Sequence, residues 1–187
     1  MKAANFFGVS FSPEEDIGTR SEIMDVLAKR RVKELLNEID KHKDPSGKKL
    51  EEVGLIILAQ YYGGVLYTRR RILGYEYDII VTPRDGGENE IIILESKARE
   101  TGSYIEWFGG LITRLNSLKA TAGVLLTFKE PSRNALREYR RIIYENPHAK
   151  ICLITSQYLS KLINSTETIK EAVRKIFFET RIKSLAY

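Results

Sequence analysis

The sequence has very few of the side chains that build disulfide frameworks and zinc sites. Cys152 is its single cysteine, which excludes internal disulfides and cysteine-rich zinc centres. The two histidines, His42 and His148, stand far apart and show no zinc-ligand spacing. Cys152 lies within an apolar stretch and is expected to be a core residue. These scarcities indicate a reducing, intracellular environment and no zinc chemistry.

Long hydrophobic runs are also missing. No apolar stretch approaches the ~18 residues from which a membrane-spanning helix is recognised. The segment from Met1 to Phe7 lacks the long apolar core of a secretory signal peptide. We therefore expect a cytoplasmic protein with no membrane partner.

Two common catalytic and phosphate-binding motifs are lacking as well. Neither Gly63-Gly64 nor Gly109-Gly110 leads into the Gly-Lys-Ser/Thr of a phosphate-binding loop. The Gly-x-Ser-x-Gly elbow of many serine hydrolases does not occur. We expect no nucleotide cofactor and no energy-driven translocation by this chain.

What is present is an ordinary globular composition with a basic balance. The 187 residues carry a formal net charge of +5 and have a pI near 9.2, which is compatible with an anionic partner without requiring one. Abundant isoleucine and charge, with glutamine only at Gln60 and Gln157, is typical of thermophilic proteins, such as those of archaea and their viruses. The length is enough for one sizeable core.

Hydrophobic periodicity predicts an α/β order of elements. The predicted helices are 13–43, 48–62, 103–119, 131–144, 157–163 and 166–183, and the predicted strands are 65–73, 75–82, 91–97, 123–128 and 150–155. A three-strand meander followed by strands that alternate with helices predicts a central mixed sheet flanked by helices on both faces.

Three ionisable residues occur within two apolar segments of strand character. Asp78 precedes Ile79-Ile80-Val81, and Glu95 and Lys97 follow Ile91 to Leu94. Glu95 and Lys97 are two apart, so both leave the same face of a strand. The segment from Thr82 to Gly87 reads as a hairpin loop, and antiparallel pairing would bring the three side chains together. An unpaired carboxylate so flanked by apolar strand would be costly to bury, which favours a functional site over a surface ion pair.

This pattern resembles the PD-(D/E)XK nuclease superfamily, with Ser96 as the variable residue and Tyr77 in place of the frequent proline. The segment from Thr101 to Ile163 resembles the second half of Mrr-type restriction endonuclease domains. The segments that carry this likeness are Trp107 to Gly110, Ala122 to Phe128, Asn134 to Leu136, Ile151 to Ile154, and Tyr158-Leu159. The spacing of Gly47 and Glu51 resembles that of archaeal Holliday-junction resolvases and Mrr-type domains.

The resemblance implies a restriction-endonuclease-like core over residues 46–164, with an extra N-terminal helical extension in residues 1–45 and a C-terminal helix in residues 165–187. It implies Mg²⁺, for which Mn²⁺ could substitute, held by Asp78, Glu95, the main-chain carbonyl of Ser96 and Glu51. Lys97 would position the attacking water or stabilise charge on the phosphate. Glu51 is preferred over its neighbour Glu52 because of its spacing from Gly47.

The expected partner is DNA, duplex or branched, acted on by a homodimer. Candidate phosphate contacts are Arg69, Arg70, Arg71, Arg99 and Lys119. The three consecutive arginines could instead protect an edge strand with charge.

The resemblance implies an endodeoxyribonuclease that leaves 5′-phosphate and 3′-hydroxyl ends. Three alternatives stay open at this point. They are a Holliday-junction resolvase, a nuclease that cuts RNA, and a non-catalytic nucleic-acid-binding subunit, since fold alone does not establish activity.

Overall fold

The computed structural model describes residues 17–42, 44, 46–61, 65–82, 91–98, 103–147 and 150–185. Several sequence predictions lie outside these residues. They are the helix start at Pro13, the helix end at Gly63-Gly64, the loop from Pro83 to Gly87, and the phosphate contact by Arg99.

Five strands form one mixed sheet in the order β1-β2-β3-β4-β5. The strands are β1 (Val65–Ile72), β2 (Tyr75–Thr82), β3 (Ile92–Lys97), β4 (Ala122–Thr127) and β5 (Lys150–Thr155). The pairs β1–β2 and β2–β3 are antiparallel, whereas β3–β4 and β4–β5 are parallel. The predicted meander followed by parallel strands is therefore confirmed.

Six helices flank the sheet in the described part of the chain. They are α1 (Ile17–His42), α2 (Lys48–Tyr61), α3 (Tyr104–Leu118), α4 (Arg133–Glu145), α5 (Ser156–Ile163) and α6 (Ile169–Leu185). Helices α1, α2, α5 and α6 contribute to the hydrophobic cluster on one face, and α3 and α4 contribute to the cluster on the other. The α/β class with helices on both faces is confirmed.

The side chains of β3 show why its sequence is apolar at consecutive positions. Ile92 and Leu94 join the cluster of α1, α2, α5 and α6, while Ile93 joins the cluster of α3 and α4. All three are completely buried. A strand covered on both faces by helices has no water-facing side, so alternation of polar and apolar residues is lost.

Helix α2 lies close to the centre of the sheet because of a glycine. A Cβ atom at Gly54 would lie 2.9 Å from a methyl group of Leu94 and 3.3 Å from one of Leu126. At the start of the same helix, the buried carboxylate of Asp44 accepts hydrogen bonds from the main-chain N–H groups of Lys49 and Leu50, at 2.8 and 3.1 Å. These contacts satisfy amide groups that a helix start otherwise leaves unpaired and fix α2 against the strands that carry the candidate site.

Helix α1 belongs to the main core, although its sequence alone left its contacts open. Val32, Leu35 and Ile39 are buried in the larger hydrophobic cluster. The buried Asp25 accepts a hydrogen bond at 2.7 Å from the main-chain N–H of Ile169, the first residue of α6. Lys29 lies 3.3 Å from Asp25 and donates to main-chain carbonyls just before α6. The first and last described helices are thus joined directly.

Among the described residues, no helix is both long enough and apolar enough to cross a membrane.

Candidate active site

The candidate site lies where β2 and β3 separate. Their described pairing runs from Val81–Ile92 to Ile79–Leu94 and stops there. At the next position, Asp78 Oδ2 accepts hydrogen bonds from the main-chain N–H of Ser96 at 2.7 Å and from its hydroxyl at 3.0 Å. The Asp78 side chain thus replaces the main-chain ladder as the link between the two strands. We call Asp78, Glu95, Ser96 and Lys97 the carboxylate site.

Glu95 is the most deeply buried charged residue of this group, with 2% of its surface exposed. Its Oε2 accepts a hydrogen bond from Lys97 Nζ at 3.3 Å. Its Oε1 lies 3.0 Å from Arg114 Nε, but that N–H donates to the main-chain carbonyl of Glu76 at 3.1 Å. Oε1 therefore gains charge compensation without a hydrogen bond, and it has no other partner in the described structure.

Burial raises the pKa of Glu95 from its ordinary 4.5 to about 7, and the charge of Asp78 acts in the same direction. Lys97 and Arg114 oppose this rise without overcoming it. The carboxylate lies in an apolar surrounding in which its charged form is poorly solvated. A further positive charge beside Asp78 and Glu95 would stabilise both as carboxylates.

Arg114 reaches Glu95 from α3, and a glycine one turn earlier leaves room for it. A Cβ atom at Gly110 would lie 3.0 Å from Arg114 Nη1. Arg114 stands next to Leu115 and three residues after Leu111, both of which are buried. The Gly109-Gly110 pair weakens the helix by propensity, and its second member makes space for the guanidinium group.

Glu51 approaches the carboxylate site from α2. Both of its oxygens accept hydrogen bonds from Arg69, at 2.7 and 2.9 Å, in a two-point ion pair. The hydrogen bond to Glu51 raises the pKa of Arg69. The neighbouring Glu52 instead pairs with Arg31 of α1 at 2.9 Å. Glu51 is therefore the member of this glutamate pair that faces Asp78.

A cavity of about 280 Å³ adjoins the carboxylate site. It is lined by Ser46, Gly47, Glu51, Asp78, Ser96, Lys97, Ala98 and Trp107. A second cavity of about 250 Å³ shares Glu51 and Asp78 and continues along α2 towards Arg69. Four of the residues predicted from the sequence, Glu51, Asp78, Ser96 and Lys97, thus line one concave space, and Glu95 lies buried beside Lys97.

Arg69 has an unusual backbone conformation opposite Asp78. Its φ of 48° lies in the left-handed region. The β1–β2 register is continuous except at this position, where Arg69 and Asp78 would face each other. Non-glycine residues adopt this conformation rarely and at some energetic cost, and such residues cluster at functional sites.

The other predicted phosphate contacts are spread more widely. Arg70 and Arg71 are exposed on β1 beyond the site. Lys119 is exposed and ends α3 with a φ of 51°. Of the aromatic residues on α3, Tyr104 and Phe108 are buried, as expected for core residues, whereas Trp107 is half-buried and lines the cavity.

The residues present fit a divalent cation of the Mg²⁺ type, although sparsely. No group of three or more His, Cys, Asp or Glu side chains arranged to hold a metal occurs in the described parts of the chain. The fit rests on Asp78 and Glu95, because these two carboxylates repel each other and Oε1 of Glu95 accepts no hydrogen bond, so a further positive charge beside them would be stabilising. Mg²⁺ commonly uses one or two carboxylates and keeps several waters.

Arg114, Trp107 and Ser46 belong to the site, although the sequence motif does not include them. The available signal for Arg114 was a charged residue beside the apolar positions Leu111 and Leu115 of a helix. Such a residue lies at the edge of the buried face and can reach a buried acid.

Comparison with known proteins adds no relative: no protein-family model matches the sequence, and no curated protein matches it significantly. The geometry of the site and the sequence motif remain the basis for inferring function.

Proposed function

We propose that the protein is a divalent-metal-dependent endodeoxyribonuclease of the PD-(D/E)XK superfamily, with a restriction-endonuclease-like core. The observation that carries this proposal is the placement of Asp78 and Glu95 on two antiparallel strands just where their ladder stops, with Ser96 bonded to Asp78 and Lys97 to Glu95. Asp78, Glu51 and the ammonium group of Lys97 line one cavity, and Glu95 lies buried beside Lys97. Such a set of groups suits phosphodiester hydrolysis. The proposed products have 5′-phosphate and 3′-hydroxyl ends.

Asp78, Glu95, the main-chain carbonyl of Ser96 and, after release from Arg69, Glu51 would hold Mg²⁺. When bound, the cation would supply charge stabilisation at the scissile phosphate and lower the pKa of a coordinated water. The hydrogen bonds from Ser96 hold Asp78 in place before substrate arrives. Such preorganisation lowers the cost of assembling the site during the reaction.

Lys97 supports the reaction in two ways. Its ammonium group lies 3.3 Å from Glu95 Oε2 and lines the cavity. It favours the charged form of Glu95, and it is placed to stabilise negative charge that develops on a phosphate bound there. Since its side chain is 31% exposed, it can contact both the buried acid and a ligand in the cavity.

The non-catalytic binding subunit remains a second candidate because of one observation. Glu51 is already paired with Arg69, and Glu95 with Lys97 and Arg114. A site in which the protein itself supplies cations to two of three carboxylates has less need of a metal to be stable. The two candidates differ in one measurable respect, which is metal-dependent cleavage.

The test is cleavage of labelled plasmid, linear duplex, four-way junction and matched RNA in Mg²⁺ or Mn²⁺. We expect DNA cleavage that falls at least about a hundredfold in Asp78→Ala and Glu95→Ala, the scale of losing one charge-stabilising group. Asp40→Ala, which removes an exposed carboxylate of α1, is the matched control and should cut like the original protein. Circular dichroism checks that each variant is folded.

The substrate preference then separates the related activities. Symmetric nicking of the junction with linear duplex left intact would indicate a resolvase acting as a dimer. Preferential cutting of RNA would contradict the DNA assignment. No cutting of any substrate, with DNA binding equal in all variants, would replace the nuclease proposal with the binding subunit.

A further inference from the structure

The hairpin formed by β1 and β2 projects beyond the part of the sheet that the helices cover. Every residue from Tyr67 to Glu76 is exposed, on both faces of both strands and in the turn. We call residues 67–76 the β1–β2 ribbon. Its base lies at the carboxylate site, since Arg69 pairs with Glu51 and the ladder is interrupted opposite Asp78.

The turn at the tip of the β1–β2 ribbon has an unusual residue, a leucine, at its first position. Ile72 pairs with Tyr75, so Leu73 and Gly74 form a two-residue turn, with φ angles of 51° and 84°. Such turns favour asparagine, aspartate or glycine at the first position, because both residues have positive φ. Leu73 accepts this conformation with 69% of its surface exposed. Neither local folding nor burial accounts for a leucine here.

The charge of the β1–β2 ribbon indicates what would cover this apolar tip. Arg69, Arg70 and Arg71 lie on one strand, against the single acidic residue Glu76. The guanidinium group of Arg70 lies 5.9 Å from the ring centre of Tyr67, which supports it by a cation–π contact. An arginine-rich strand that ends in an apolar turn is complementary to duplex DNA, which has negatively charged phosphates on the outside and stacked apolar bases between them.

We propose that the β1–β2 ribbon enters a groove of duplex DNA, with its arginines on the phosphates and Leu73 pressed against a base step. A two-stranded ribbon can enter the major or the minor groove. In proteins that bind the minor groove, leucine and isoleucine side chains act as wedges that partly unstack base steps. The inference rests on the proposed function, because it assumes DNA as the substrate. Bound in this way, the β1–β2 ribbon would hold the duplex beside Asp78 and Glu95.

The test measures binding and base unstacking with EDTA present, so that cleavage plays no part. A short duplex labelled with a fluorophore reports affinity by anisotropy, and one containing 2-aminopurine reports unstacking by its fluorescence. We expect the original protein to raise the 2-aminopurine signal. Leu73→Asn should abolish that rise and weaken binding about tenfold, the scale of losing one contact with stacked bases.

Leu73→Asn removes the apolar side chain without destabilising the fold, because asparagine is favoured at this turn position. The variant should therefore melt at the same temperature as the original protein or at a higher one. Val26→Asn is the matched control, since Val26 of α1 is 65% exposed. It should leave affinity and fluorescence unchanged. Arg70→Gln should lower the slope of log affinity against log salt by about one, as expected for one lost phosphate contact.

The outcomes separate this inference from the proposed function. Equal binding and equal 2-aminopurine signal in Leu73→Asn and the original protein would overturn the inference, even if the protein cuts DNA. Loss of both signals in Leu73→Asn would support it, even if no substrate is cut. A dimer that Leu73→Asn dissociates, with DNA binding unchanged, would also overturn it and assign the tip to a second copy of the chain.

Discussion

Replacing Glu95 by glutamine should make the protein more stable at neutral pH and above, although it removes an ion pair. In the folded protein, burial and the charge of Asp78 raise the pKa of Glu95 from 4.5 to about 7. The folded state therefore binds this proton more tightly than the unfolded state does. The stabilisation from the proton is fully present below pH 4.5 and is lost as the pH rises to about 7.

The magnitude follows from the size of the pKa change. A rise from 4.5 to about 7 corresponds to about 3 kcal/mol of unfolding free energy. Glu95→Gln resembles the protonated acid in size and charge at every pH. The variant and the original protein should therefore have similar stability below pH 4.5, and the variant should be more stable by about 3 kcal/mol above pH 7.

The assay is urea unfolding at a series of pH values with EDTA present. Other groups titrate in the same range, so the informative quantity is the difference between Glu95→Gln and the original protein at each pH. Glu145→Gln is the control, because Glu145 is an exposed partner of Arg141 on α4. Its difference curve should be small and flat. A flat curve for Glu95→Gln as well, or a variant that loses stability as the pH rises, would refute the reasoning from burial.

Two further predictions concern groups around the same acid. Arg69→Gln should free Glu51 and strengthen Mn²⁺ binding by about fivefold to tenfold, since a positive charge next to the proposed ligands is removed. Titration calorimetry measures the Mn²⁺ affinity, and an unchanged affinity would count against a role for Glu51. Tyr77→Phe should raise the unfolding free energy by up to about 1 kcal/mol, because the buried Tyr77 hydroxyl has no hydrogen-bond partner in the described structure. Chemical denaturation measures the unfolding free energy, and a clear loss of stability would show that the hydroxyl does form a hydrogen bond.

Matched variants exist for both experiments. Arg141→Gln removes an arginine that pairs only with glutamates of its own helix, Glu138 and Glu145, among its described contacts, and should leave Mn²⁺ affinity unchanged. Tyr144→Phe removes a hydroxyl from a tyrosine that is 59% exposed, and should leave stability unchanged within error.

The order and limits of the elements could be predicted because they depend on short-range patterns. The strand predicted at 150–155 has the bounds Lys150–Thr155, since an apolar run between polar turns identifies a buried strand. The helix predicted from Lys48 begins at that residue. Such signals are read within a few residues of the chain.

The contacts within the candidate site could not be predicted in the same way. That Arg114 approaches Glu95 depends on how α3 is rotated against β3, and neither segment encodes this rotation. The pairing of Arg69 with Glu51 depends on a single left-handed residue in a strand. Simple alternation would place Arg69 and Arg71 on one face, and it does not anticipate the interrupted ladder.

The link between α1 and α6 has a consequence for how the molecule opens. The Asp25 carboxylate accepts a hydrogen bond from the start of α6, 144 positions away along the chain. Lys29 donates hydrogen bonds to the turn just before α6. Loss of α1 would remove a hydrogen bond from the start of α6, and loss of α6 would leave the buried Asp25 carboxylate without that partner. The two helices should therefore open together as one cooperative unit. The helices on that face of the sheet are then secured by contacts between residues far apart in sequence, on the first and last described helices.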